Sequence, residues 1–391
     1  MTIKLNRRKG VFYMSFRDDF YKTINHKKPN HVIIDFGGNP LSSMEGKSML
    51  YLLEYLGYDT DKKELSPFGA TQRIDERILK HFNIPTRSVG KILAPQKSMK
   101  RIINDTEYTD EWGIRRKFTG LYWDIVDYPL KDSTLQDLDT YSWPDPDSLD
   151  MEEIELFKKQ AEYLYNETEY VVCGEHPVYG IFELGCWMCG FEDFMIKMAI
   201  EPEYIHKFFT IVLNYQKKVI EKYYGAIGKY IHYTSSGDDF ATQTNTFVSK
   251  DMFREFIAPY FKERIRYTKE FTQAKYLHHS CGNIFTIIDD LINCGVDILN
   301  PIQPVSDTMS PNCLKKTFGE KITFHGGIDT QALLPFGTKD EIEHAVKETI
   351  EIMSENGGYI FASAHNIQED VPPENLVYLL EAANKYGNFT K

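Results

Sequence analysis

Cysteine is scarce in this chain: six among 391 residues, namely Cys173, Cys186, Cys189, Cys281, Cys294 and Cys313. With so few, and with a polar, basic start over residues 1–10 in place of an apolar leader, a secreted disulfide scaffold is disfavoured. The expected setting is cytoplasmic with reduced thiols, where cysteine chemistry means metal binding or catalysis. No run of 18 apolar residues occurs, which argues against a membrane-spanning helix. Basic blocks are missing too. The count of 57 acidic against 45 basic residues gives a net charge of −12, which weighs against a nucleic-acid partner. A glycine-rich phosphate loop is also lacking. Gly37-Gly38-Asn39-Pro40, after the first apolar run, matches neither GxGxxG nor GxxxxGK[ST], so a doubly wound nucleotide-binding sheet is the weaker alternative.

What the chain does have is a repeated alternation. Short apolar or β-branched runs at 31–36, 87–93, 169–174, 230–234, 275–278, 296–299, 322–324 and 359–361 end in Gly, Asp, His or Asn. Helical periodicity follows most of them. Thr338 and Glu341 form a capping box ahead of Ile342, Val346, Ile350 and Met353; Pro372 and Pro373 start a last helix with Leu376, Leu379, Leu380 and Ala383 on its apolar face. A stripe from Met252 to Phe261 contains Pro259, an expected kink. Eight strands alternating with helices predict an α/β fold, a (β/α)8 TIM barrel, as a single unit over 1–391. The segment at about 95–146, rich in Trp, Tyr, Asp and Pro, fits no such repeat. It is expected to be an insertion in the N-terminal half that covers the barrel mouth.

In a barrel of this kind the chemistry gathers where the strands end. The fifth run closes on His278-His279-Ser280-Cys281-Gly282. Residues two apart on a strand share a face, so His279 and Cys281 project together, an imidazole and a thiolate suited to zinc. His278 would point the other way and pack structurally. Asp238 and Asp239 after the fourth run would serve as a further metal ligand or substrate acceptor, chiefly Asp239, or else as a turn or cap. Asn300, Gln303 and Asn366 would line the pocket as neutral polar groups. His325 would touch substrate or be a satisfied buried polar residue, and Asp329 would cap the helix after the seventh strand. The Cys186-Trp187-Met188-Cys189 spacing stands alone in bulky apolar surroundings and reads as core.

Over nearly its whole length the chain resembles the uroporphyrinogen decarboxylase superfamily. The matching segments are Gly-Asp-Asp-Phe-Ala-Thr-Gln at 237–243, His-Ser-Cys-Gly at 279–282, Gly-Val-Asp-Ile-Leu-Asn-Pro at 295–301, Gly-Gly-Ile-Asp-Thr at 326–330 and Ala-His-Asn-Ile at 364–367. The resemblance implies a (β/α)8 barrel and two kinds of activity. The decarboxylase grips its substrate's propionates with arginines after the first strand; residues 35–43 here contain none, which disfavours porphyrinogen decarboxylation. The corrinoid (cobalamin)-dependent methyltransferase branch holds zinc with a His-x-Cys pair and a distant cysteine. His279 and Cys281 match the pair, and His365 occupies the third position, exchanging a thiolate for an imidazole. With one thiolate fewer the site is a stronger Lewis acid. The resemblance therefore implies zinc, a corrinoid carried on a partner protein, and His279, Cys281 and His365 as catalytic metal ligands. The leading expectation is methyl transfer from a small methylated substrate, a methoxyaromatic above all (O-demethylation). The alternatives are a methylcorrinoid-to-thiol methyltransferase, a decarboxylase, and a non-catalytic corrinoid- or tetrapyrrole-binding barrel. Oligomeric state is open, a homodimer included.

Overall fold

The computed structural model describes residues 16–60, 71–120, 123–304 and 306–390. The amino-terminal stretch read above for a leader lies outside them. Eight parallel strands make one sheet: β1 (Ile33–Ile34), β2 (Thr86–Val89), β3 (Val171–Gly174), β4 (Tyr233–Thr234), β5 (Lys275–His279), β6 (Ile298–Ile302), β7 (Thr323–Ile328) and β8 (Tyr359–Ser363). Their order in space is β1-β8-β7-β6-β5-β4-β3-β2. All eight fall on the apolar runs anticipated from sequence. The two end strands share no ladder among the described residues. Instead Thr86 of β2 donates its hydroxyl to Asp35, directly after β1, at 3.0 Å and draws the seam together. The product is a nearly closed parallel barrel, as expected.

Alternation along the strands sorts the side chains into two layers. Ile33, Val171, Cys173, Tyr233, Leu277, Ile298 and Ile360 form one buried cluster with Phe20 and Ile24 of the helix Phe16–Ile24. These strand residues face the barrel axis, and Phe20, fully buried, plugs the end where the strands begin. Burial of a side chain of that size stabilises by about 1.5–3 kcal/mol. Their strand neighbours, among them Val172, Tyr276, Leu299, Phe324 and Phe361, belong to the larger cluster under the helices. Above the apolar floor the inward positions turn polar: Asp35, Asn300 and His325 are each buried. No helix among the described residues is long and apolar enough to cross a membrane.

The helix signals hold. The helix Lys339–Met353 carries the Thr338–Glu341 capping box, and the last helix, Pro373–Tyr386, begins at its proline. Pro259 lies in a helical run that continues unbroken from Lys250 to Phe271. It sits in the first turn of Ala258–Phe271, preceded by a π turn over Phe253–Ile257. The wider turn absorbs the bond that proline's missing N–H cannot make.

The segment between β2 and β3 contains a four-stranded antiparallel sheet: Arg101–Asn104, Glu107–Thr109, Arg115–Phe118 and Trp123–Asp127. Aromatic contacts tie it down. Trp112, 2% exposed, lies edge-on to Tyr215 with ring centres 4.7 Å apart, and the Arg116 guanidinium stands 5.1 Å from the Trp187 ring. Tyr215 belongs to the helix Pro202–Ile227 and Trp187 to Ile181–Cys189, the helix that follows β3.

One buried acid in this segment has a measurable consequence. Burial, reinforced by Asp110, pushes the Glu111 carboxyl up to about 7. An unfolded glutamate titrates near 4.3, so between about 4.3 and 7 the folded chain binds the extra proton. Stability on this account is highest below that window and falls as pH rises through it. Glu111→Gln keeps the shape without the charge. It is expected to stabilise the protein by about 4 kcal/mol at pH 8, at 1.36 kcal/mol per pKa unit, and by almost nothing at pH 4. Urea midpoints of both proteins at the two pH values check this; an equal gain at both would count against it.

Candidate metal centre

β5 delivers His279 at its last position, and the turn after it brings Cys281 back to the same side. The Cys281 Sγ lies 3.2 Å from His279 Nε2. His365 follows β8, three strands away around the barrel, and reaches across: its ring centre is 6.1 Å from that of His279. One ligand atom from each of the three side chains falls within 4.8 Å of the others. A tetrahedral zinc with nitrogen and sulfur ligands at 2.0–2.3 Å sets those atoms roughly 3.3–3.7 Å apart, so small rotations suffice. The donor set, two imidazoles and a thiol, is also zinc's own preference. The three residues fit the ion.

The turn carrying Cys281 is held on every side. The Cys281 N–H donates to Asp239 Oδ1 at 2.7 Å, and the Gly282 N–H to Gln303 Oε1 at 2.9 Å. Gly282 has φ of +84°, and a Cβ there would stand 2.3 Å from the Thr242 carbonyl oxygen, so only glycine fits. Burial pushes the Cys281 thiol up, while the hydrogen bond from His365 pulls it back. A bound cation displaces that proton, since thiolate is the ligand form.

Beneath the trio the polar side chains form a chain. His279 Nδ1 lies 2.5 Å from Asn300 Oδ1, Asn300 Nδ2 lies 2.6 Å from His325 Nδ1, and His325 Nε2 lies 3.0 Å from Asp35 Oδ2. Asp35 also accepts from Gly38 N, Asn39 Nδ2, Ser42 Oγ, Thr86 Oγ1 and the Tyr233 hydroxyl, at 2.6–3.0 Å. Burial would raise its carboxyl, but the hydrogen bonds it accepts from His325, Tyr233 and Ser42 hold it below the usual range.

The other expected site residues each have partners of their own. Asn300 and His325 are fully buried, with each polar side-chain atom engaged inside the barrel, so His325 takes the form of a satisfied buried polar residue. Asp238 takes the cap alternative. Its carboxylate accepts the N–H groups of Phe182 and Glu183 and so caps the helix Ile181–Cys189. Gln303 fixes the Gly282 turn, and Asn366 Oδ1 accepts the Ser43 N–H at 2.8 Å. Asp239 lies beside the trio on its Nε2 side, 3.7 Å from His279 Nε2. His278 packs outward between Phe240 and Phe261, Asp329 caps the turn into Leu333–Phe336, and Cys186 and Cys189 are buried.

Two functional candidates escaped the sequence reading. Asp35 is one. Glu183 is the other: burial, with Asp239 and Asp238 nearby, pushes its carboxyl well above the usual range, and His279 counteracts in part. Each had a faint signal, as a single charge in an otherwise apolar element.

Known proteins bear on this geometry. The family model described as uroporphyrinogen decarboxylase (URO-D) matches residues 126–386. A uroporphyrinogen decarboxylase of Chlorobaculum parvum is 24% identical over 191 residues, 47% of this chain and 50% of that protein. One of Schizosaccharomyces pombe is 27% identical over 148 residues, 36% of this chain and 40% of its own. The chain thus aligns with half or less of these relatives' length. Among solved structures, a methyltransferase from Methanosarcina mazei superposes with a TM-score of 0.64 at 14% identity, covering 95% of this chain and 99% of that one. That likeness shows the barrel alone.

Proposed function

The chain belongs to the uroporphyrinogen decarboxylase family, and from that membership and the His–Cys–His group at its barrel mouth we propose a zinc-dependent methyltransferase. It would move a methyl group between a small methylated substrate and a corrinoid held by a partner protein. The observation that carries this reading is the convergence of His279, Cys281 and His365, whose ligand atoms share a 4.8 Å compass. Those three residues would hold the metal. When bound, zinc supplies Lewis acidity that polarises the heteroatom bearing the methyl group.

The remaining work falls to the protein. Asp239 holds the Cys281 backbone and Gln303 the turn after it, so the thiolate is presented in one place. His365, exposed at the rim, leaves the outer side of the trio open to substrate. Burial, with Asp239 and Asp238 nearby, raises the Glu183 carboxyl, so that it keeps its proton near neutral pH. The aromatic-rich segment at 95–146 is taken to cover the mouth, with a methoxyaromatic as the favoured substrate and removal of its methyl group as the direction.

Decarboxylation is a second reading, favoured by the relatives' names. Against it stands the stretch after β1, where residues 35–43 carry no arginine and their polar atoms turn toward Asp35. The separating experiment is anaerobic. Zinc-loaded protein is mixed with cob(I)alamin and a panel of methoxyaromatics and methylamines, and methylcobalamin is followed by its absorbance. Substrate-dependent methylcobalamin that disappears on zinc removal supports methyl transfer. Carbon dioxide from uroporphyrinogen, with or without zinc, would instead establish the decarboxylase. Cobalamin binding with neither product would leave a binding barrel.

A further inference from the structure

The chain of buried side chains under the mouth has a single direction when His325 is the neutral imidazole. Asp35 is held ionised by its six donors, and a carboxylate only accepts. His325 must therefore donate from Nε2. A neutral imidazole that donates from Nε2 accepts at Nδ1, so Asn300 turns its NH2 toward His325. The Asn300 oxygen is then left facing His279, which must donate from Nδ1. That leaves the lone pair of His279 on Nε2, the atom 3.2 Å from Cys281 Sγ. Each link is at hydrogen-bond distance, 2.5, 2.6 and 3.0 Å. The opposite orientation of the amide would place a proton on His279 Nε2 and close that nitrogen to any cation.

We infer that Asn300, His325 and Asp35 are positioning residues, a relay through the barrel interior that sets the His279 tautomer for metal binding. The inference rests on the metal-site reading but concerns different residues. None of the three touches the ion. They act at a distance of up to three side chains, from a carboxylate on β1 to a ligand on β5. Outer partners of metal-bound histidines typically account for 10–100-fold in metal affinity, because they fix ring orientation and raise ligand basicity. What is particular here is length: an amide and a second imidazole stand between the ligand and the charge that orients it. Tyr233 and Thr86, donating to Asp35 from β4 and β2, tie the same charge to two further strands.

The test has a readout that needs neither metal nor activity. Long-range proton–nitrogen NMR on metal-free protein, with histidines labelled in 15N and assigned by substitution, reports each tautomer. His279 is expected as the Nδ1–H form and His325 as the Nε2–H form. His325→Phe removes the relay while filling its space, and should weaken zinc binding 10–100-fold and let His279 populate the other tautomer. Asn300→Asp keeps an acceptor for His279 and should retain tighter zinc binding than Asn300→Leu, which offers none. A wild-type His279 in the Nε2–H form would overturn the inference, as would a folded His325→Phe protein with unchanged zinc affinity. Should wild-type protein bind no zinc at micromolar concentration, the metal reading fails by itself, and the tautomers still decide the relay. If His325→Phe does not fold, the wild-type spectrum alone decides between the two orientations.

Discussion

Replacing Cys281 with Ala is expected to strip the protein of its zinc. The wild type should hold one ion per chain after gel filtration, the variant none, by elemental analysis under anaerobic conditions. The size of the effect follows from comparison. Partners that only touch a ligand cost 10–100-fold in metal affinity, so removing a ligand, and the single anionic one at that, should exceed 100-fold. The loss will also show as stability. An ion that binds only the folded chain stabilises it by about 4.1 kcal/mol at 1,000 times its dissociation constant, and the variant forfeits that increment. Without zinc, both proteins should melt alike, because Cys→Ala at this half-buried position removes little more than a sulfur atom. His365→Cys is the informative partner variant. It restores a second thiolate, so zinc should stay, but the added negative charge weakens the ion as a Lewis acid. If methyl abstraction from an ether is the reaction, that variant should bind zinc well and turn over slowly. Retention of stoichiometric zinc by Cys281→Ala would mean that these three residues are not the metal centre.

The strands were legible because parallel barrel strands are buried on both sides and so read as short apolar runs with polar ends. β1 and β4 shrink to two residues each, since ladder pairing is more local than an apolar run suggests. The metal trio was partly legible: His279 and Cys281 share two-residue spacing, whereas His365 stood out only by resemblance. The supporting residues were out of reach. Asp35 meets His325 across 290 positions and Tyr233 across 198, and no local pattern encodes such meetings. A trace was nevertheless present, since an acid that ends the run Val-Ile-Ile is costly to bury unless something receives it. Glu183 left a similar trace as the one charge in the helix Ile181–Cys189. Asp238 misled for the opposite reason. Its place beside Asp239 suggested a carboxylate pair, but Gly180 lets the helix start approach so closely that its carboxylate is consumed as a cap; a Cβ there would lie 2.4 Å from Asp238 Cγ.

Asp35→Leu is expected to leave the chain unable to fold, the largest stability loss expected of any single change. Six donors converge on that carboxylate, and all are sealed from water. Stranding a buried donor costs about 1–3 kcal/mol, so even at the low end the sum reaches about 6 kcal/mol, within the 5–15 kcal/mol that a whole domain has to lose. The loop at 37–42 can relax and recover part of this, but Thr86, Tyr233 and His325 sit on three strands and cannot. Asp35→Asn is the graded version. It keeps the volume and one acceptor oxygen while turning an NH2 against groups that are themselves donors, and about 3 kcal/mol or more should be lost, read as a drop in urea midpoint. The pH sign follows from the same contacts. With its folded pKa held below the unfolded value near 3.9, Asp35 stabilises at every pH above that value. The contribution drains away only as pH falls through the lower folded pKa. Wild-type protein should therefore lose stability on acidification below about pH 4 more steeply than Asp35→Asn, and parallel curves for the two would mean that the buried charge is not what joins β1 to the rest of the barrel.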